Sequence, residues 1–120
     1  MRKKTEIVIA DDDPNICKTL QDLLIEKEYF VEVVKNGYEL LSYLKKKSAD
    51  IIILDLMMPE KDGVEVISAI KDIAPYVKIV IYTGFEKYND FPFVKLADRF
   101  LLKGDNPQKL LQVIEEFSQT

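Results

Sequence analysis

Carboxylate, hydroxyl and ammonium side chains follow short apolar runs of this 120-residue chain, and together they are the groups that phosphoryl transfer uses. Clustered carboxylates are hard oxygen ligands, which favour Mg²⁺ or Mn²⁺ over zinc. A carboxylate can also act as a nucleophile that forms an acyl phosphate, while a metal ion and a lysine neutralise charge on the transferring group. The residues that follow the runs are Asp11, Asp12 and Asp13, then Asp55, Thr83 and Lys103.

These side chains are expected to meet at one edge of a sheet, because open parallel sheets form their ligand sites at the carboxyl ends of the strands. If Asp11 and Asp55 end neighbouring strands, they and Asp12 repel one another and require a proton or a cation. Asp55 is the predicted nucleophile because it stands alone at the end of the central strand. Asp12 is predicted to hold the metal ion directly, and Asp11 directly or through water. Lys103 offers a point charge, and Thr83 a hydroxyl donor.

Each residue taken singly also has a structural interpretation. Asp13 is most simply a helix cap, and Asp11 and Asp12 could serve as turn or capping residues. Thr83 alone is typical of a strand end, and Lys103 alone of a solvated surface. Only the joint placement of these residue types on several strand ends favours a functional site.

Five short runs rich in Ile and Val alternate with stretches of helical periodicity. Their almost continuous apolar character fits strands buried on both faces. The alternation predicts one α/β domain over residues 1–120, with a parallel sheet, right-handed crossovers and helices on both faces. The runs cover residues 5–10, 31–34, 50–54, 77–82 and 99–102.

Two helices are predicted to begin at a capping side chain followed by proline at the first helical position, at Asp13-Pro14 and Asn106-Pro107. The fourth helix, within residues 85–98, is the weakest, since Pro92 lies inside it. We expect any helix there to be short or to begin near Asn89 or Asp90.

Composition excludes several kinds of chemistry. The chain has no histidine, so it cannot form an imidazole metal site or a histidine-dependent catalytic triad. The single Cys17 excludes an internal disulfide, suits a reducing cytoplasm and is expected in the core or on a helix face. A net charge of −4 without a large basic cluster gives no sign of nucleic-acid binding, and no apolar run is long enough for a membrane span.

The motifs resemble those of the receiver domain of two-component response regulators, over essentially the whole chain. Each motif alone is weak, while their order and spacing together are specific. The resemblance implies a flavodoxin-like, doubly wound (βα)5 fold with five parallel strands in the order 2-1-3-4-5. The matching residues are 7–13 (IVIADDD), 54–59 (LDLMMP), Asp62-Gly63, Thr83-Gly84 and 100–103 (FLLK).

For the acidic residues, the resemblance implies that Asp55 accepts a phosphoryl group from a histidine kinase or a histidine phosphotransfer protein. Asp11, Asp12, Asp55 and the backbone carbonyl of Met57 would bind Mg²⁺. The absence of histidine agrees with this, because the donor imidazole must then come from another protein.

For the response, the resemblance implies that Thr83 contacts the phosphoryl group, that Lys103 pairs with it, and that Phe100 turns inward as Thr83 moves. The face made by the predicted fourth helix, fifth strand and fifth helix would signal to a protein target or to an output domain absent from this chain. If the chain is complete, it would be a stand-alone cytoplasmic regulator.

Two departures leave an alternative open. Gly104 stands where the family usually has proline, and Pro92 lies in a fourth segment that is slightly short. A degenerate receiver that binds proteins independently of phosphate would explain both. A phosphatase that turns over an external substrate is disfavoured, because Met57 stands where a second carboxylate is expected. A flavodoxin-like electron carrier is rejected, because three consecutive aspartates at 11–13 would repel a phosphate.

Overall fold

The computed structural model describes residues 4–57 and 63–119. Strands and α-helices alternate along the chain, and the segment after the fourth strand is a pair of 3₁₀ turns. The elements are β1 (Glu6–Ala10), α1 (Pro14–Glu26), β2 (Phe30–Val34), α2 (Gly37–Lys46), β3 (Ile51–Leu54), α3 (Gly63–Ile73), β4 (Lys78–Thr83), η1 (Glu86–Asp90), η2 (Pro92–Leu96), β5 (Arg99–Leu102) and α4 (Gln108–Ser118).

The five strands form one parallel sheet in the order β2-β1-β3-β4-β5, which confirms the predicted α/β fold and strand order. In the register of β1 and β3, Ala10 lies opposite Leu54. The next residues, Asp11 and Asp55, therefore leave the sheet side by side.

The three central strands are buried on both faces, as their apolar runs predict. Alternate side chains of these strands point to opposite faces, and each face is covered by helices. One face packs against α1 and α4 through residues such as Leu20, Leu24 and Ile114. The other packs against α2, α3 and η2 through residues such as Leu40, Ile67 and Val94. No helix in the described ranges is long and apolar enough to cross a membrane.

Both predicted capping side chains act at helix starts. The Asp13 carboxylate accepts hydrogen bonds from the backbone N–H groups of Asn15 (2.9 Å) and Ile16 (3.4 Å). The Asn106 side chain accepts one from Gln108 (2.9 Å). Helix α4 is assigned from Gln108, one residue after Pro107, although Pro107 already has helical dihedral angles (φ −56°, ψ −21°).

Removing the Asp13 cap is expected to destabilise the domain. Asp13→Ala leaves the first N–H groups of α1 without their acceptor, so the free energy of unfolding should fall by about 1 kcal/mol. The free energy of unfolding should fall clearly less in Asp13→Asn, because asparagine keeps a capping oxygen. Urea denaturation of both variants checks this, and an equal loss in the two would contradict a capping role.

The helical turns of the fourth segment are short, which confirms the first of the two predicted alternatives. No α-helix forms between β4 and β5, and the 3₁₀ turns begin at Glu86 and Pro92, not near Asn89 or Asp90. Apolar residues occupy every third position from 85 to 97, which is the period of a 3₁₀ helix and not of an α-helix, although Phe93 and Leu96 lie outside this series. The residues of the series are Phe85, Tyr88, Phe91, Val94 and Ala97.

The backbone of this segment follows the same spacing. The N–H groups of residues 88, 91, 94 and 97 donate to the carbonyl oxygens three residues earlier, at 3.0 to 3.2 Å. Pro92 has no N–H and would clash with the carbonyl four residues before it in an α-helix. At the start of η2 it interrupts neither turn.

Candidate functional site

Two backbone hydrogen bonds hold the central carboxylates at the sheet edge. The N–H of Asp55 donates to the carbonyl of Ala10 (2.9 Å), and that of Asp11 donates to the carbonyl of Val34 (3.1 Å). These two hydrogen bonds extend the pairing of β1 with β3 and of β1 with β2 by one residue beyond the ends of the strands. The positions of the two carboxylates are therefore fixed by the sheet itself.

Lys103 lies between the two carboxylates. Its Nζ is 2.8 Å from Oδ2 of Asp11 and 2.9 Å from Oδ2 of Asp55. The Lys103 backbone N–H donates to the carbonyl of Thr83 (2.9 Å), so the end of β4 positions this lysine. Strands β1, β3, β4 and β5 thus each supply a side chain or a support to one cluster.

The second oxygen of each carboxylate accepts a backbone hydrogen bond. Oδ1 of Asp11 accepts from the N–H of Asp13 (2.9 Å), and Oδ1 of Asp55 accepts from the N–H of Met57 (3.0 Å). Asp11 and Asp55 are almost fully buried, and each is held by one lysine contact and one backbone contact. Their orientation is therefore fixed before any ligand arrives.

Asp12 completes the acidic group from the solvent side. Its side chain is exposed, and carboxylate oxygens of Asp11, Asp12 and Asp55 all lie within 4.8 Å of one another. The group could hold a divalent cation, because three hard oxygen ligands converge there from two neighbouring strand ends.

Burial and pairing act against each other in this cluster. Burial raises the pKa of Asp11, although hydrogen bonds from Lys103 and from the Asp13 backbone partly offset it. For Lys103, burial alone would lower the pKa, but hydrogen bonds to Asp11 and Asp55 outweigh it and the net shift is upward. The lysine therefore stays charged, and it is a counter-ion for both carboxylates.

The remaining predicted site residues surround the cluster. The Thr83 side chain is fully buried, and its hydroxyl has no hydrogen-bond partner among the described residues. Phe100 is half-buried and packs against the core on the α2–α3 side of the sheet. The Met57 side chain is exposed. The turn signals Met58-Pro59 and Asp62 lie outside the described residues.

Gly104 does not disturb the placement of Lys103. A Cβ at Gly104 would meet no atom within 4 Å, and none of the described glycines has a positive φ. The turn after β5 therefore does not depend on glycine. Asp13 has the predicted capping role, and its N–H also supports Asp11.

Cys17, predicted to lie in the core or on a helix face, also contacts the site. Its thiol is buried and donates to the backbone carbonyl of Asp11 (3.3 Å). Burial, together with the nearby charges of Asp11 and Asp13, raises the pKa of the thiol from 9.0 to about 11.

The raised thiol pKa predicts a loss of stability in alkali. The unfolded thiol releases its proton near pH 9, whereas the native thiol keeps it to about pH 11. The stabilising contribution of Cys17 is therefore complete below pH 9 and is lost as the pH rises to 11, by at most about 2–3 kcal/mol. Cys17→Ser keeps the hydrogen-bond donor but does not titrate. Urea denaturation at pH 8 and pH 11 should show a smaller loss in this variant, and equal losses would contradict the prediction.

The chain belongs to the response regulator receiver domain family, whose model matches residues 7–115. Among curated proteins, it is 34% identical to the transcriptional regulatory protein ZraR of Salmonella typhimurium over 85 residues, which cover 71% of this chain and 19% of ZraR. It is also 34% identical to the probable transcriptional regulator ycf27 of Cyanidium caldarium, over 91% of this chain and 44% of that protein. The chain therefore spans less than half of the length of these relatives.

Solved structures agree with this assignment. The response regulator TrrA of Thermotoga maritima, solved in complex with Mg²⁺-BeF, is 29% identical, with a TM-score of 0.88 over 94% of this chain and 98% of TrrA. TrrA has also been solved in complex with the histidine kinase ThkA. A CheY-like receiver domain protein of Methanospirillum hungatei is 26% identical, with a TM-score of 0.89 over 95% of this chain and 93% of that one.

Proposed function

We propose that this receiver domain accepts a phosphoryl group on Asp55 from a histidine kinase or a histidine phosphotransfer protein. The observation that carries the proposal is the environment of the Asp55 carboxylate. It is buried at a strand end, oriented by Lys103 and the Met57 N–H, and adjacent to two further carboxylates. The complexes of TrrA with Mg²⁺-BeF and with a histidine kinase support the same chemistry.

In the transfer, an Asp55 carboxylate oxygen forms a bond to phosphorus as the P–N bond of a phosphohistidine breaks. The electron pair of that bond stays on the imidazole nitrogen, which takes up a proton from solvent. Lys103 stabilises the negative charge of the transferred group, and the Thr83 hydroxyl donates a hydrogen bond to one of its oxygens. Hydrolysis of the acyl phosphate ends the signal, so the domain is not a turnover enzyme on an external substrate.

The site residues fit a bound Mg²⁺ ion, or Mn²⁺ in its place. Asp11, Asp12, Asp55 and the backbone carbonyl of Met57 would hold it. The fit rests on the three converging carboxylates and on the raised pKa of buried Asp11, since a cation would relieve the cost of that buried charge. When bound, the ion supplies positive charge to the carboxylates and to the phosphoryl oxygens.

Asp12 provides a test of this metal site, since it is exposed and makes no hydrogen bond to residues 4–57 or 63–119. Asp12→Ala is expected to weaken Mg²⁺ binding about tenfold or more, with little effect on stability, because one of three carboxylates is lost. Isothermal titration with MgCl₂ measures the affinity. Asp22→Ala on the outer face of α1 is the matched control, and unchanged affinity in Asp12→Ala would argue against its ligand role.

The proposed function is tested by intact mass spectrometry. After incubation with a small acyl phosphate donor and Mg²⁺, the wild-type chain should gain one phosphoryl group. No gain, at a Mg²⁺ concentration that saturates the site, would overturn the proposal.

We further propose a cytoplasmic location, where the signal passes to a downstream protein or to an output domain outside this chain. The segment of η1 and η2, β5 and α4 would form the face that reports phosphorylation. A degenerate receiver remains the second candidate, since the 3₁₀ segment replaces a helix on that face. It would bind its partner equally with and without phosphate.

A further inference from the structure

Lys103 has to cross a strand to reach its two partners. It follows the edge strand β5, whereas Asp55 and Asp11 follow β3 and β1, and β4 lies between β5 and β3. Neighbouring strands lie about 4.8 Å apart, so the four-carbon stem of the lysine must extend over β4 to bring its Nζ to 2.9 Å from Asp55. The side chain of β4 that lies beneath the stem therefore helps to decide where the ammonium is held.

The register of the sheet places Tyr82 on this path. Tyr82 lies opposite Leu101 of β5. Asp55 lies beside Tyr82 on the other side, because the pairing of β3 with β4 ends one residue earlier in both strands. Tyr82 and Leu101 pack together on the α1–α4 face of the sheet. Lys103 comes two residues after Leu101, so in the alternation of strand side chains it belongs to the same face as Tyr82.

The next position of the chain on that face after Tyr82 is a glycine. Gly84 has no side chain, and a Cβ there would meet no atom within 4 Å, so the stem of Lys103 does not lie over this residue. The Tyr82 ring is left as the support from this part of the chain, and it is buried, with 6% of the residue exposed. The Lys103 side chain is only 18% exposed, which agrees with a stem covered on one side by a ring.

The charges around Tyr82 agree with this placement. Burial raises the pKa of the Tyr82 hydroxyl, the positive charge of Lys103 opposes the rise, and the negative charge of Asp11 adds to it. The hydroxyl makes no hydrogen bond to the residues that the structure describes. The contribution of Tyr82 to the site is therefore that of its ring.

We propose that Tyr82 is a positioning residue for phosphoryl transfer, whose ring supports the stem of Lys103 and so holds the ammonium between Asp11 and Asp55. The inference rests on the proposed function, since the charge that Lys103 stabilises is that of the transferred group. An ammonium that is already in place needs no reorganisation during the transfer, whereas a mobile one must first return to its position. Loss of the ring should therefore slow the transfer and leave binding of the phosphoryl donor unchanged.

The ammonium signal of Lys103 in ¹⁵N NMR tests the support without any phosphoryl donor, and Lys103→Ala identifies this signal by its loss. In Tyr82→Val, exchange of the ammonium protons with water should become about tenfold faster. Tyr82→Phe should match the wild type, because it keeps the ring. Leu24→Ala, at a fully buried position of the same face and at the end of α1 away from the site, is the matched control for a loss of packing and should leave this exchange unchanged.

The rate of labelling provides the readout for the reaction. With an acyl phosphate donor and saturating Mg²⁺, the rate constant at saturating donor should fall about tenfold in Tyr82→Val. The donor concentration that gives half of the maximal rate should change by less than about threefold. Tyr82→Phe should keep the wild-type rate. If Tyr82→Val does not fold, Tyr82→Leu, which fills more of the buried volume, provides the same comparison.

The proposed function and this inference fail in different ways. If the wild type takes no label and ¹⁹F NMR shows no binding of beryllofluoride, a mimic of the phosphoryl group, the proposed function fails and the role of Tyr82 in transfer fails with it. If the wild type is labelled but Tyr82→Val keeps the wild-type exchange and rate, or Leu24→Ala shows the same losses, the positioning role alone is overturned. Equal losses in Tyr82→Phe and Tyr82→Val would assign the effect to the hydroxyl and reject support by the ring.

Discussion

Replacing Asp55 with asparagine is expected to abolish phosphorylation while the fold stays intact. The amide cannot act as the nucleophile, and no other described carboxylate combines burial at a strand end with contacts to both Lys103 and the Met57 N–H. Asp11 is the nearest competitor, because it also contacts Lys103, but its Oδ1 accepts a hydrogen bond from the N–H of Asp13 and not from that of Met57. Intact mass after incubation with an acyl phosphate and Mg²⁺ should show no gain in this variant.

Asp72→Asn, at an exposed position on α3, is the control for this experiment and should be labelled like the wild type. Circular dichroism of Asp55→Asn should match the wild type, since the change removes the repulsion between two carboxylates along with one lysine contact. Labelling of the variant at full stoichiometry would place the phosphoryl group elsewhere and reject Asp55.

Removing the Lys103 ammonium is expected to be the most destabilising change at the site. Lys103→Ala leaves Asp11 and Asp55 buried next to each other without their shared counter-ion. Removing one partner of a buried ion pair costs about 3–5 kcal/mol. For a domain of this size, we expect the melting temperature in EDTA to fall by roughly 10 °C or more.

Mg²⁺ should restore much of the stability lost in Lys103→Ala, because a divalent ion supplies the missing positive charge. The variant should still bind Mg²⁺, but the amide chemical shifts of Thr83 and Phe100 should respond less to beryllofluoride. Lys109→Ala, which breaks an exposed pair with Asp105, should change the melting temperature little. A similar small loss in Lys103→Ala would contradict its role as the counter-ion.

The sequence was sufficient to predict the sheet and the acidic part of the site. Runs such as 51–54 and 79–81 are too apolar for a sheet with one solvent-exposed face. Their alternation with helices also restricts the sheet to a few possible strand connections. Parallel strands bring their carboxyl ends to one edge, so the convergence of Asp11 and Asp55 followed from the adjacency of β1 and β3. That adjacency came from the family resemblance and not from the pattern of the chain.

Pro92 was sufficient to predict a short fourth segment, but not its division into two 3₁₀ turns. Apolar residues occupy every third position from Phe85 to Ala97, but Phe93 and Leu96 lie between them and obscure that spacing in the sequence. The contact from the Cys17 thiol to the Asp11 carbonyl could not be predicted, since a weak donor on a buried helix face leaves no pattern in sequence. Lys103 forms ion pairs with both Asp11 and Asp55, and this depends on side-chain geometry that sequence spacing alone does not determine.

Among the residues that the structure describes, the buried Thr83 hydroxyl has no hydrogen-bond partner, and this affects the balance between resting and active populations. A buried polar group without a hydrogen bond costs about 1–3 kcal/mol, which the resting domain bears. A phosphoryl group on Asp55 that accepts a hydrogen bond from Thr83 would remove this cost, and it would do so only in the active arrangement. A difference of this size multiplies the active-to-resting ratio by about 5 to 150, so one hydroxyl could supply a large part of the coupling between phosphorylation and response.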